Sequence, residues 1–246
     1  LLPVSYSGAP GAYSEEAARR FFGTTTSTLT CSDVAAALDA VADGRARAAV
    51  VAVENSVTGC FAGLTDTLMG RDLAIAGEVV LPLRHCLMGV PGARIEGIAE
   101  VLSHPSVLGQ CRDWITRSGW AASAADDTAA AAQELIARGE RGTAVLGSRV
   151  LAGIYGLEIL AEGIADSSEN VTRFLVFTAS ADAAGSRTAV LVGPVEEPRT
   201  LRNLRIHLES LDATRVRAPF VGARDGRTFL VEFDHPESRG AAIAAV

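Results

Sequence analysis

Short apolar runs alternate along this chain with segments whose apolar residues return every three or four positions, the mark of strands alternating with amphipathic helices. Val4–Ser7 reads as a strand and Ser14–Phe22 as a helix, and Ser32 is placed to cap a helix over Asp33–Ala42. RAAVVAV (47–53) gives a fully buried strand over Ala48–Val53, closed by the polar turn Glu54–Asn55–Ser56. A helix follows at Leu64–Met69, then strands at Leu73–Val80, Leu83–Val90 and Glu100–Leu102, and a helix at Val107–Arg117. Asp127 or Thr128 caps a helix over Ala129–Arg138. A strand at Thr143–Leu146, a helix at Ser148–Gly153 and strands at Leu157–Ala161 and Val171–Phe177 complete the first part. Such alternation predicts an α/β fold, parallel sheets covered by helices.

The pattern lapses at TASADAAGS (Thr178–Ser186), a run of small residues that reads as a linker. A second unit follows as strand Thr188–Val192, helix Pro198–Leu211, strands Thr214–Arg217 and Thr228–Phe233, and helix Pro236–Val246. The order βαββα is one strand short of a ferredoxin-like α+β module. The resulting division is 1–178, with a second lobe at about 81–160, a linker at 179–186, and a C-terminal unit at 187–246.

Composition narrows the chemistry. The 246 residues are 48% hydrophobic and 21% charged, ordinary for a globular protein. A net charge of −7 without a basic cluster argues against nucleic acid as a partner. All 22 basic residues are arginine; the absence of lysine excludes Schiff-base chemistry and a P-loop. Cys31, Cys60, Cys86 and Cys111 form no C-x-x-C pair, and His85, His104, His207 and His235 show no ligand spacing, so buried thiols and no metal are expected. No run of 18 apolar residues suggests a membrane span, and the chain enters a strand at Pro3–Ser7, which makes the cytoplasm the expected location.

In parallel sheets ligands collect at the carboxyl ends of the strands. Here those ends carry small polar turns: Ser7–Gly8–Ala9–Pro10–Gly11, Glu54–Asn55–Ser56 and Ser103–His104–Pro105. Turns leading into helix starts suit a small carboxylate. Gly8 and Gly11 do not make a dinucleotide fingerprint. Asp126–Asp127–Thr128 reads as a helix cap, His104 equally as a buried structural histidine or a proton carrier, and Asn55–Ser56 could simply close a turn.

Six stretches in order resemble the prephenate dehydratase family, including its arogenate dehydratase branch. They are GAPGAYSEEAA (8–18), VAVENSVTG (51–59), LPLRHCL (81–87), SHPSVLGQC (103–111), DDTAAAA (126–132) and YGLEILAEGIADSSENVTRF (155–174). The resemblance spans Val4 to about Phe177. It implies a two-subdomain catalytic domain like the type II periplasmic binding proteins, followed by an ACT-like regulatory module, and assembly as a homodimer or homotetramer. It implies prephenate or arogenate as the small-molecule substrate and no cofactor. The ring carboxylate would leave as carbon dioxide while hydroxide departs from the opposite carbon, a poor leaving group that wants a hydrogen bond or proton.

By the same resemblance Thr172 donates to the departing oxygen and Arg173 holds a carboxylate by fixed charge. Asn55, Ser56, Gly59, Ser103, His104, Gln110, Thr128, Asn170 and Phe174 are the implied substrate-binding set, with Phe174 more a packing residue. One geometric tension stands: neighbours on a strand point to opposite faces, so Thr172 and Arg173 share a pocket only if the strand starts late or twists. An internal ion pair is the other role open to Arg173.

The chain also departs from the family pattern. Ser106 stands where glutamine is usual, and Cys60–Phe61 replace a commoner Ser-Val pair. In the C-terminal unit VEEPRTL (195–201) and TRVRAPF (214–220) replace the usual ACT motifs, so phenylalanine feedback is not expected and pairing of chains remains the module's role. A branch that decarboxylates without losing water, and a non-catalytic ligand sensor, are the competing readings.

Overall fold

The computed structural model describes residues 1–61, 63–68, 71 and 73–179, with the backbone alone at 60, 65 and 66, and the backbone of three later strands. Two mixed α/β sheets build two lobes. The first contains β1 (Val4–Ser7), β2 (Thr28–Cys31), β3 (Ala48–Asn55), β4 (Gly59–Cys60), β5 (Leu73–Pro82) and β11 (Val171–Ala179), in the order β2-β1-β3-β11-β5 with β4 beside β3. The second contains β6 (Cys86–Gly89), β7 (Glu100–Ser103), β8 (Ala121–Ala124), β9 (Thr143–Gly147) and β10 (Glu158–Glu162), in the order β10-β6-β9-β7-β8.

The sheets are not all parallel. β1 runs parallel to β2 and β3, but β11 is antiparallel to both β3 and β5 because it returns from the second lobe to fill a central position. β6 is antiparallel to β9 and β10. The chain crosses between lobes twice, after Pro82 and again before Val171. The crossings are tied together where the Leu83 N–H donates to the Asn170 carbonyl and the Ile164 N–H to the His85 carbonyl. These bonds explain why the strand expected over Leu83–Val90 begins only at Cys86.

Helices α1 (Tyr13–Phe22), α2 (Val34–Ala42) and α3 (Leu64–Leu68) cover the first sheet. α1 lacks a side-chain N-cap. Instead Glu15 reaches back to accept the Gly11 N–H at 2.7 Å, and Arg19 and Arg20 sit in the last turn, where a helix favours cations. Gly11 has φ +94, which only glycine adopts without strain. Asp33, not Ser32, caps α2, accepting the Ala36 N–H at 2.8 Å while Ser32 donates to its other oxygen. Leu38, Val51, Leu175 and Phe177 pack on one face of the sheet, and Val50, Val79, Phe174 and Val176 on the other.

The second lobe carries α4 (Pro105–Gln110), α5 (Arg112–Ser118), α6 (Thr128–Arg138) and α7 (Val150–Tyr155). The helix expected over Val107–Arg117 starts earlier, at Pro105, and breaks at Cys111. Asp166 supplies the replacement bonds: its N–H donates to the Gln110 carbonyl at 2.8 Å, and its carboxylate accepts the Asp113 N–H at 3.1 Å. The break fixes Gln110 at the end of a short rigid turn. Cys86 and Cys111 are buried thiols, whereas Cys31 is only half-buried.

β11 extends through Ala179, so Thr178 and Ala179 belong to the strand and the rest of the expected linker lies outside the described residues. Beyond it β12 (Arg187–Val192), β13 (Thr214–Val221) and β14 (Phe229–Asp234) form an antiparallel sheet in the order β12-β14-β13. The helices expected at 198–211 and 236–246 lie outside the described residues.

Candidate active site

β11 lies between β3 and β5, with Thr172 opposite Asn55 on one side and Leu81 on the other. Strand alternation sends Thr172 and Phe174 to the face that borders the space between the lobes. A cleft of about 500 Å³ opens there. It is floored by Ala52, Asn55, Thr172 and Phe174, and closed from the second lobe by His104, Gln110 and Thr128. Thr172 is only 3% exposed, so its hydroxyl meets the cleft with little freedom to turn elsewhere.

A buried amide network holds that hydroxyl. Asn55 is anchored by backbone: its Oδ1 accepts the N–H groups of Val57 and Thr58, both at 3.0 Å, and its Nδ2 faces the Val171 carbonyl at 3.1 Å. Its Nδ2 therefore donates to Thr172 Oγ1 at 2.9 Å and to Asn170 Oδ1 at 2.8 Å. Asn170 Nδ2 in turn donates to Gln110 Oε1 at 2.9 Å, and Gln110 Nε2 donates to Asn55 Oδ1 at 3.3 Å. The network joins a strand of the first lobe, the returning crossing and a helix of the second lobe. With Thr172 Oγ1 accepting from Asn55, its own proton is left to donate into the cleft.

Arg173 does not come to the cleft. Alternation places it on the other face of the sheet, where it is 7% exposed and its Nε donates to Glu78 at 3.0 Å, with Glu54 at 4.0 Å. The carboxylate-holding role expected for it is replaced by an internal ion pair across β3, β11 and β5. Ser56 also stands outside the cleft lining: its hydroxyl donates to the Glu169 carbonyl and accepts the Val171 N–H, pinning the crossing. Gly59 supplies a φ of +78 at the turn into β4. Ser103 is fully buried and donates to the Leu146 carbonyl at 2.7 Å, and Asn170 acts behind the lining through its two amide bonds. The structure thus brings Asn55, His104, Gln110, Thr128, Thr172 and Phe174 to the cleft. His104 is also the N-cap of α4, its Nδ1 accepting from Ser106.

Sequence reasoning missed Tyr13 and His85. His85 is fully buried on the first crossing, with Nε2 2.7 Å from Gln110 Oε1 and Nδ1 2.9 Å from the Tyr13 hydroxyl. Burial lowers its pKa, against the pull of the Gln110 bond, and burial raises that of Tyr13 well above its ordinary value. Both shifts favour the uncharged forms, a neutral imidazole and an intact phenol. The signal was present in LPLRHCL, a histidine in a largely apolar stretch broken only by Arg84. Asp33, Asp126 and Asp127 were also overlooked as cleft residues; they line it while two of them cap helices.

Residues 4–182 match the family model for prephenate dehydratase. The chain belongs to the prephenate dehydratase family. It is 45% identical over 177 residues to arogenate dehydratase 1 of Petunia hybrida, covering 71% of this chain and 42% of that protein. Across the curated relatives it matches, the chain spans about half of their length. Among solved structures it resembles a prephenate dehydratase from Arthrobacter aurescens in complex with L-Phe. That likeness has a TM-score of 0.83 at 26% identity, covering 99% of this chain and 85% of that one. GqqA, described as a novel type of quorum quenching acylase, is similar at TM-score 0.80 and 28% identity, over 95% and 87% of the two chains. Two departures from the family pattern fall on the cleft: Ser106, whose hydroxyl lies 2.7 Å from His104 Nδ1, and the exposed ring of Phe61.

Proposed function

We propose that the chain is a dehydratase that aromatises a hydroxylated cyclohexadiene carboxylate of the prephenate type. One observation carries the reading. The Thr172 hydroxyl borders the cleft and its oxygen accepts from Asn55, an arrangement that leaves its proton free to donate to a ligand there. As the ring carboxylate departs as carbon dioxide, its bonding pair moves into the ring and the C–O bond opposite breaks. The leaving oxygen takes the Thr172 hydrogen bond and leaves as water once a proton reaches it. A threonine is too weak an acid to deliver that proton by its own ionisation, so its contribution is a positioned hydrogen bond or a relay from solvent. The apolar neighbours Ala52, Val107, Leu83 and Phe174 keep the departing carboxylate poorly hydrated, which favours its loss as a neutral gas.

Charge favours arogenate over prephenate as the substrate. Among the described residues the cleft is lined by Asp33, Asp126 and Asp127 and by no arginine. Ligand carboxylates there meet hydroxyls such as those of Ser14, Ser106 and Thr128, whereas an ammonium group meets negative charge. The 45% identical Petunia hybrida relative, named an arogenate dehydratase, supports the same choice. The strand order β12-β14-β13 is that of a split βαβ unit, which supports an ACT-like module.

The test is to incubate the full chain with each substrate and measure carbon dioxide together with phenylpyruvate, by its enol absorbance in base, or phenylalanine. Aromatic product from arogenate at a higher kcat/KM than from prephenate fits the reading. Carbon dioxide without aromatic product points to simple decarboxylation, and binding without turnover to a sensor.

A further inference from the structure

We propose that Tyr13 and His85 are positioning residues that hold Gln110, and through it the Asn170–Asn55 amide pair, in the one arrangement that leaves the Thr172 proton free, an inference that rests on the dehydratase reading above. Every amide in the network has two possible orientations, and a neutral histidine has two tautomers. The backbone removes this freedom at one end. Peptide N–H groups can only donate and peptide carbonyls only accept, so Val57, Thr58 and Val171 leave Asn55 one orientation. Each later partner is then forced in turn. Asn170 presents Oδ1 to Asn55 and Nδ2 to Gln110, so Gln110 Oε1 is an acceptor. His85 Nε2, 2.7 Å away, must carry the imidazole proton, its Nδ1 is bare, and the Tyr13 hydroxyl 2.9 Å away donates to it.

The alternative is excluded by contact. With the proton on Nδ1, the bare Nε2 would face the Gln110 oxygen at 2.7 Å. Relieving that repulsion requires Gln110 to turn over, which sets its oxygen against Asn55 Oδ1, already held by two peptide N–H groups. Tyr13 is the far clamp of this series. It stands on α1, its ring edge-on to His85 with centroids 5.6 Å apart, and its phenol anchors the Nε2–H imidazole at the bare Nδ1. A fixed tautomer at one end and fixed peptides at the other leave the Thr172 proton as the free donor of the series.

The experiment combines turnover with nitrogen NMR of the ¹⁵N-labelled full chain. In the wild type, His85 is expected as the Nε2–H tautomer. In Tyr13→Phe the imidazole loses the donor at its Nδ1, which should shift that nitrogen's signal while Nε2 keeps its proton, and kcat should fall roughly five- to fifty-fold with little change in KM. His85→Gln places an amide N–H near the Nε2 position and should retain most of the activity that His85→Leu loses at matched thermal stability. An Nδ1–H tautomer in the wild type overturns the proposal whatever the activity, as do equal rates in His85→Gln and His85→Leu. Wild-type turnover with unchanged kcat in Tyr13→Phe refutes this proposal alone. A wild-type chain that turns over neither substrate refutes the dehydratase reading and takes the proposal with it.

Discussion

Asn55→Asp is nearly isosteric and reverses one hydrogen-bond direction. The carboxylate still accepts from the Val57 and Thr58 N–H groups at its Oδ1 position. At the former Nδ2 position it places a second acceptor 2.8 Å from Asn170 Oδ1, 2.9 Å from Thr172 Oγ1 and 3.1 Å from the Val171 carbonyl. Thr172 can relieve its share only by turning its proton toward the new carboxylate and away from the cleft. Losing that donor from the leaving group should lower kcat by about 10²–10⁴. Two lost amide hydrogens, at roughly 1–2 kcal/mol each with the acceptor contacts they leave, destabilise the fold by about 2–4 kcal/mol. For a chain of this size that is a fall in Tm of roughly 5–12 °C. Burial among acceptors pushes the new carboxyl upward in pKa, and once protonated it donates again. Activity of the variant should therefore rise as pH falls, the reverse of a simple loss of fold. Calorimetry and aromatic product formation across pH supply both readings. Turnover within threefold of wild type at neutral pH would refute the argument that Asn55 orients the alcohol.

Arg173→Met should lower Tm by about 3–8 °C, because two partly exposed glutamates lose their shared cation, while kcat/KM stays within roughly fivefold. A hundredfold loss of kcat/KM at unchanged Tm would instead make Arg173 a substrate contact. Burial raises the Glu15 carboxyl, but the Gly11 N–H, Arg19 and Thr28 outweigh it and the net shift is downward. A carboxyl held below its unfolded value contributes stability above that value and loses it as acid protonates it. Tm of the wild type should thus drop below the ordinary carboxylate value of 4.5 more steeply than that of Glu15→Gln, as read by thermal melts in a pH series. Millimolar phenylalanine should leave the initial rate unchanged, because the C-terminal unit lacks both usual ACT motifs; clear inhibition would contradict this.

What could be read from the sequence followed the strength of the burial signal. Ala48–Val53 and Val171–Phe177 are buried on both faces and read as strands from their apolar runs alone. β2, written TLTC, and β8, written AASA, went unread because each is an edge strand with one partner, β2 half-exposed and β8 largely exposed. Their pairing comes from the neighbour's backbone rather than from their own side chains. The break at Cys111 was equally hidden, since its cause is Asp166, more than fifty positions away. At the site, strand alternation already set Thr172 and Arg173 on opposite faces, and the ion pair of Arg173 completes that logic. His85 and Tyr13 escaped because their role lies in a tautomer, which only the distances to a buried amide reveal.

The most direct measurement is the single-turnover rate of aromatic product formation in Thr172→Ser beside Thr172→Ala. Serine keeps an oxygen for Asn55 to bind and a proton to offer, and should stay within about tenfold of wild type, whereas alanine should fall by roughly 10²–10⁴. Equal rates in the two variants would contradict the account.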